Sequence, residues 1–188
     1  MRWFFLFLVS SFLEASVICE SVVNVYCAPE EDTEIESQAL YSQVVQVLET
    51  VDGWCKIEMS DGVQGWVLAS QVSENSDYEE SDRLRPLKNL FAHIYRVTDA
   101  TPYPSLLTLS RGSRVLLDRV VDTGERWVSM ELISGEKAWI QRGDVDFSPK
   151  LKTLEEMIGF SYKFLGLPYT WGGTSSYGFD CSGFIQML

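Results

Sequence analysis

The chain has 188 residues, of which 46% are hydrophobic, and its formal net charge at pH 7 is −12. This composition is typical of a globular protein, excludes a disordered one, and allows one or two domains of ordinary size. The negative charge argues against a general affinity for nucleic acid. Because the chain has one histidine and no Cys-x-x-Cys spacing, we expect neither a structural zinc site nor a cofactor.

Residues 1–19 are predicted to be a secretory signal peptide. Arg2 gives a small positive start, an apolar run follows over residues 3–13, and small residues such as Ala15 lie near a cleavage point. The run is too short to span a bilayer and no later stretch approaches that length, so we expect no membrane span. The protein is therefore expected to be exported, periplasmic or extracellular, and associated with the cell envelope. Lipid modification of Cys19 stays open as an alternative that the bulky Ile18 disfavours.

Residues 20–72 alternate apolar and polar positions between regularly spaced turns, which is typical of a small β-barrel. Asp52-Gly53 is a hairpin-turn signal. By the alternation of its strand, Cys55 is predicted to face the core. A buried free thiol and a disulfide to Cys27 are both compatible with that position, since export permits disulfides.

Residues 73–86 form an acidic, polar run that we interpret as a linker or a long exposed loop. Residues 87–147 then repeat the first unit. The tryptophans of each unit are 12 positions apart and are related by a shift of 73, as the pairs Trp54/Trp66 and Trp127/Trp139 show. Trp54 and Trp127 are predicted to face outward, where they either line a peptide groove or pack along the strand edges.

Residues 148–188 contain two predicted helices joined by a glycine-rich loop. Thr153 and Glu156 have the spacing of a capping box and predict the start of the first helix. The loop delivers Cys181 to the first turn of the second helix, where free backbone N–H groups and the helix dipole favour the nucleophilic thiolate. Four nearby glycines are expected to leave room for a substrate backbone: Gly172, Gly173, Gly178 and Gly183.

The run from Leu165 to Gly183 resembles the catalytic-cysteine signature of the NlpC-type cell-wall peptidases. That signature reads Leu-Gly-x-Pro-Tyr-x-Trp-Gly-Gly, a short spacer and Phe-Asp-Cys-Ser-Gly. The two tryptophan-marked units resemble tandem bacterial SH3-like domains. The resemblance implies a mainly β chain: two small SH3-like β-barrels over 20–72 and 87–147, followed over 148–188 by the N-terminal helical part of an incomplete α+β papain-like peptidase domain.

The resemblance also implies roles for individual residues. Cys181 is the implied nucleophile, and Tyr169 stands where these peptidases carry a tyrosine that helps the oxyanion hole. Further residues of the signature are implied to bind substrate: Asp180, Ser182, Trp171 and Gly172. From the residues alone, Asp180 is predicted to be a helix N-cap.

The implied function is hydrolysis of peptidoglycan stem peptides or muropeptides by a cysteine endopeptidase that cuts the γ-D-glutamyl–diamino acid bond. The family's catalytic histidine is expected beyond Leu188, so we expect the chain as given to be an inactive fragment. His93 is expected to be a strand or interface histidine. The alternatives are a non-catalytic cell-wall-binding protein that uses its paired barrels, and a thiol enzyme that acts on another amide or ester.

Overall fold

A computed structural model of the chain describes residues 15–75, 77–99 and 102–188. Its first seven strands form one antiparallel sheet, which we call the first barrel. They are β1 (Ala15–Ile18), β2 (Val22–Tyr26), β3 (Ile35–Leu40), β4 (Val44–Val51), β5 (Trp54–Met59), β6 (Gln64–Leu68) and β7 (Val72–Ser73). Their order in the sheet is β3-β2-β6-β5-β4-β1-β7.

Local sequence explains the central hairpin of the first barrel. Asp52 and Gly53 have φ values of +47° and +82°, the positive angles that the predicted tight turn between β4 and β5 requires. Along β5 the inward positions are buried, and Cys55 is 7% exposed. The core-facing position of Cys55 is thus confirmed. Its thiol is free, and so is that of the exposed Cys27, so the disulfide alternative is not adopted.

The second barrel follows the same plan. Its strands are β8 (Leu84–Pro86), β9 (Phe91–Tyr95), β10 (Leu107–Ser110), β11 (Arg114–Leu117), β12 (Trp127–Glu131) and β13 (Lys137–Gln141). They lie in the order β10-β9-β13-β12-β11-β8, which matches β3-β2-β6-β5-β4-β1 strand for strand. The shift of 73 holds for the strand register, because Trp66 pairs with Lys56 as Trp139 pairs with Ser129. The predicted repeat is therefore confirmed.

Each of the two outward tryptophans packs against a tyrosine two strands away in its sheet. Trp54 meets Tyr26 edge-to-face with ring centroids 5.7 Å apart, and Trp127 meets Tyr95 in the same way at 5.3 Å. This is the edge-packing alternative of the two that the sequence allows. The matching partners show that the repeat extends to the outer face of the sheets.

The first barrel begins earlier than the predicted boundary at residue 20. β1 pairs with β4 and β7, and the side chains of Val17 and Ile18 are fully buried. These residues lie inside the predicted leader, 1–19. The prediction missed β1 because the pattern of one short strand looks the same as the end of an apolar run. The apolar run of the leader lies outside the described residues.

The prediction that residues 73–86 form a linker or a long exposed loop is wrong. Helix α1 (Asp77–Glu80) and strand β8 lie within it, and Tyr78 is fully buried. The Tyr78 hydroxyl donates to the carbonyl O of Glu131 and lies 3.3 Å from the hydroxyl of Tyr41, which accepts the N–H of Ile133 at 2.9 Å. Both tyrosines belong to the hydrophobic cluster that forms the second barrel's core, so the segment joins the two barrels tightly.

The last part of the chain contains helix α2 (Leu154–Ser161), hairpin strands β14 (Thr174–Ser175) and β15 (Gly178–Phe179), and helix α3 (Cys181–Met187). Short 3-10 turns span Ala69–Gln71, Arg142–Asp144 and Tyr162–Phe164. The capping box is confirmed, since Thr153 and Glu156 bond reciprocally at the start of α2. No helix of the described ranges has both the length and the apolar character needed to cross a membrane.

Candidate active site

Four phenylalanines form a small nucleus that places α3 beside α2. Phe164 is 3% exposed, and its ring packs edge-on against Phe160, Phe179 and Phe184 with centroid distances of 5.3, 5.5 and 5.8 Å. These residues come from α2, from the turn after it, from β15 and from α3. The nucleus therefore fixes the helix that begins with Cys181 against the segments that precede it.

Cys181 is the first residue of α3, and its side chain is exposed. Asp180 caps the helix: its Oδ1 accepts the Gly183 N–H at 2.8 Å and the Ser182 hydroxyl at 2.7 Å, and its Oδ2 accepts the Gly172 N–H at 3.2 Å. The Gly183 N–H, followed by the Ser182 hydroxyl, lowers the pKa of Asp180 below its ordinary value. The predicted N-cap is confirmed, and the cap also ties the glycine loop to the helix start.

The glycines around Cys181 serve close internal packing, which corrects the expectation that they leave space for a substrate backbone. A Cβ on Gly173 would lie 2.6 Å from the carbonyl O of Gly178, and a Cβ on Gly183 would overlap the carbonyl O of Gly173. Gly172 has φ of +66° and is buried against Ile35 of the first barrel. Larger residues at these positions would push apart the backbones that hold α3.

The other residues of the signature lie on the same continuous segment. Tyr169 and Trp171 are 67% and 64% exposed, and Tyr169 bridges to the backbone of Phe179. Ser182 is exposed beside Cys181. Contact of these side chains, and of Asp180 and Gly172, with a substrate stays a prediction.

His93 lies in β9 of the second barrel. Its Nδ1 is 2.9 Å from the Thr108 hydroxyl on β10, and its ring meets Tyr95 edge-on at 6.3 Å. The expectation of a strand histidine is confirmed. Within residues 15–75, 77–99 and 102–188, no three histidine, cysteine or acidic side chains are grouped as metal ligands would be.

Comparison with known proteins supports the assignment of these segments. Residues 25–72 match the bacterial dipeptidyl-peptidase Sh3 domain, and residues 166–188, which contain Cys181, match the NlpC/P60 family. The segment that contains Cys181 is thus an NlpC/P60 family segment.

Two relatives of this chain bear the same name, gamma-D-glutamyl-L-lysine dipeptidyl-peptidase. The protein from Bacillus subtilis is 42% identical over 166 residues, which cover 84% of this chain and 53% of the relative. The protein from Bacillus cereus is 28% identical over 170 residues, which cover 82% of this chain and 49% of the relative. The chain thus spans about half the length of these relatives.

The fold of this chain is also found in a crystal structure of an NlpC/P60 family protein from Bacillus cereus. The TM-score is 0.76 at 24% sequence identity, and the match covers 90% of this chain and 70% of that one. At this identity the likeness supports the fold: two SH3-like barrels followed by the helical start of the NlpC/P60 segment.

Three residues outside the signature hold this segment on the barrels. Gln38 of β3 accepts the Thr174 N–H at 3.2 Å, and the buried Ser110 of β10 accepts the Ser176 N–H at 2.8 Å. Arg111 donates to the carbonyl O of Met187 at 3.2 Å in the last turn of α3. The sequence did not predict any of the three, because polar residues on or beside an edge strand carry no motif.

Arg111 also packs against the phenylalanine nucleus. Its guanidinium carbon lies 4.1 Å from the centroid of the Phe160 ring, and its Nη1 donates to the carbonyl O of Leu87 and of Lys88. Partial burial lowers the pKa of Arg111, which keeps its charge at neutral pH. A cation near the carbonyl end of α3 also opposes the negative end of the helix dipole.

Proposed function

We propose that the intact gene product is a peptidoglycan stem-peptide hydrolase that cuts the γ-D-glutamyl–diamino acid bond with Cys181 as nucleophile. The observation that carries the proposal is an exposed cysteine at the first position of a capped helix, within the segment that matches the NlpC/P60 family. The name shared by two relatives supports the choice of bond, since both are called gamma-D-glutamyl-L-lysine dipeptidyl-peptidases.

The chemistry that we propose has two steps. The Cys181 sulfur attacks the carbonyl carbon of the scissile amide, the C–N bond breaks, and the amine leaves with a proton while a thioester forms. Water then hydrolyses the thioester and frees the thiol. The N–H of Cys181 and the hydroxyl of Tyr169 are the proposed donors to the oxyanion.

A cysteine hydrolase also needs a base that takes the thiol proton and returns it to the leaving amine. His93 is the one histidine of the chain, and its hydrogen bond goes to Thr108 within the second barrel. We therefore assign His93 no catalytic step, and we assign Asp180 the structural task of orienting α3.

We further propose that the protein acts at the cell envelope after export by an N-terminal leader. Val17 and Ile18 are part of the buried cores, so removal of these residues would expose the apolar neighbours that they cover. We therefore place the cleavage of the leader before Ala15, upstream of the position that the sequence pattern favours.

The test uses the purified intact protein and a stem tripeptide, L-Ala-γ-D-Glu linked to a diamino acid. We expect release of L-Ala-γ-D-Glu, measured by mass spectrometry, and no release by Cys181→Ala. Cys27→Ala is the matched control, because Cys27 is also an exposed free thiol but lies in the first barrel. Unchanged release by Cys181→Ala would overturn the proposal. Wall binding without any release by the wild type would favour the non-catalytic binding protein.

A further inference from the structure

The hairpin that precedes Cys181 lies between the edge strands of the two barrels. On the side of the first barrel, Thr174 donates its N–H to Oε1 of Gln38 at 3.2 Å and its hydroxyl to the carbonyl O of Gln38 at 3.0 Å. These bonds use both the side chain and the backbone of β3, which ends the sheet order of its barrel. The hairpin thus covers a strand edge that has no further strand beside it.

On the side of the second barrel, the partner strand is β10, which also ends its sheet. Ser110 accepts the N–H of Ser176 at 2.8 Å, and both residues are fully buried. Tyr177 packs edge-on against Phe91 with ring centroids 4.9 Å apart, and its hydroxyl lies 3.5 Å from the carbonyl O of Thr108. The hairpin is therefore held from two sides by two separate domains.

Backbone contacts connect this hairpin to the nucleophile. The carbonyl O of Gly173, the residue before β14, accepts the N–H of Asp180 at 3.1 Å. Gly183 of α3 packs directly on the same Gly173 backbone. A shift of the hairpin would thus move the Asp180 cap and, with it, the first turn of α3 that carries Cys181.

We infer that Gln38 and Ser110 are positioning residues for Cys181. Each barrel contributes one side-chain acceptor, and the two acceptors together hold the hairpin that orients the helix start. The inference rests on the proposed function only where it explains why the position of Cys181 matters. The placement itself is a property of the sulfur that can be measured without any substrate.

The chain offers a matched control for Ser110. Ser113 follows three positions later, in the turn that leads to β11, and is also fully buried, but its hydroxyl has no hydrogen-bond partner. Ser113→Ala therefore removes an equally buried hydroxyl oxygen without removing a bond to the hairpin. For Gln38 the control is a rescue: Gln38→Ala removes Oε1, whereas Gln38→Glu keeps an acceptor for the Thr174 N–H.

The experiment measures two rates in the wild type and these four variants. Amide hydrogen exchange at Thr174 and Ser176 reports the bonds, and alkylation of Cys181 by iodoacetamide, followed by peptide mass mapping, reports the sulfur. Since one hydrogen bond changes an equilibrium by about fivefold, we expect about fivefold faster exchange at the freed amide and about fivefold slower alkylation of Cys181 in Ser110→Ala and Gln38→Ala. Ser113→Ala and Gln38→Glu should keep both rates near the wild-type values.

The inference is overturned if exchange accelerates while Cys181 alkylation stays unchanged, or if Ser113→Ala slows alkylation as much as Ser110→Ala. Thermal unfolding of each variant identifies a general loss of fold. Such a loss would change the rates throughout the protein and not at Cys181 and the hairpin alone. Where the wild type cleaves the stem tripeptide, kcat should fall in the two variants with little change in KM. A wild type that is inactive but shows the expected alkylation pattern would refute the proposed function and leave the positioning role standing.

Discussion

The two barrels share a strand order and a register, yet they hold the segment that carries Cys181 in different ways. Gln38 and Thr108 occupy equivalent positions on the edge strands β3 and β10. The residue after Gln38 pairs with the inward Val23 of β2, and the residue after Thr108 pairs with the inward Ala92 of β9. The first barrel uses the long side chain of Gln38. The second barrel uses a buried serine two positions further along its strand and an aromatic contact.

This difference shows which positions of a repeated fold are free to vary. Inward residues of both sheets must fill a core, so Ile57 and Met130 keep the same task at the shift of 73. Residues on the outer edges meet whatever lies beside each barrel, and the same hairpin presents different atoms to each of them. The repeat therefore predicts the two cores but not the two interfaces.

The largest expected effect tests whether the two cores are one cooperative unit. Ile57→Ala and Met130→Ala each remove a fully buried side chain, so each should lower the free energy of unfolding by about 2–5 kcal/mol. Because Val17 and Tyr41 of the first barrel pack in the second barrel's cluster, both variants should unfold in a single urea transition. Val121→Ala, at a side chain that is 72% exposed, is the control and should change the free energy by no more than about 0.5 kcal/mol. Two separate transitions in Ile57→Ala would show that the barrels unfold independently.

A smaller effect is expected where the barrels meet. Tyr78→Phe leaves the carbonyl O of Glu131 without its hydroxyl donor and removes one partner of Tyr41. Burial raises the pKa of both tyrosines, so both hydroxyls stay protonated at neutral pH. An unsatisfied buried group costs about 1–3 kcal/mol, which chemical denaturation should detect. Tyr103→Phe is the control at an exposed tyrosine, and an equal loss there would contradict our account of the interface.

The smallest effect is electrostatic and belongs to the second barrel. Its exposed Asp122 bonds twice to Arg142, at 2.5 and 2.6 Å, and no ion pair is found among the described residues of the first barrel. The Arg142 guanidinium, followed by the Gly124 N–H, holds the pKa of Asp122 below its usual value. The stabilisation should thus be present above the unfolded aspartate pKa of about 3.9 and be lost as the pH falls through the lower folded value.

We therefore expect Asp122→Asn to lower the melting temperature slightly at pH 7 and to have no effect once the pH lies below the folded pKa. High salt should also reduce the difference at pH 7, because the pair is exposed. Asp32→Asn, in an exposed loop of the first barrel, is the control. A difference between wild type and Asp122→Asn that persists in acid would show that the carboxylate charge is not its source.

Much of the fold could be predicted from the sequence, because local patterns encode it. The alternation in β5 predicts the burial of Cys55, and Thr153 with Glu156 predicts the start of α2. The signature around Cys181 predicts that this cysteine lies at the start of a helix with Asp180 as its cap. Each of these features depends on residues only a few positions apart.

Other features could not be predicted, since their causes lie far away in the sequence. Tyr78 lies in an acidic run, and only its contacts with Tyr41, Glu131 and the second barrel's core explain its burial. β1 lies after the apolar run of a predicted leader, and only its pairing with β4 and β7 shows that it belongs to the first barrel. The glycines of the cysteine signature look permissive until the opposing backbones are in place.

By itself, the sequence determined the two repeated barrels, the capped helices and the place of Cys181 at the start of a helix, because strand alternation, turns and caps act between near neighbours. Only the tertiary structure decided what surrounds Cys181. Gln38 and Thr174 are 136 positions apart, and Ser110 and Ser176 are 66 apart. Such contacts form only when the edges of two folded sheets meet the hairpin from opposite sides, and no local pattern specifies that meeting.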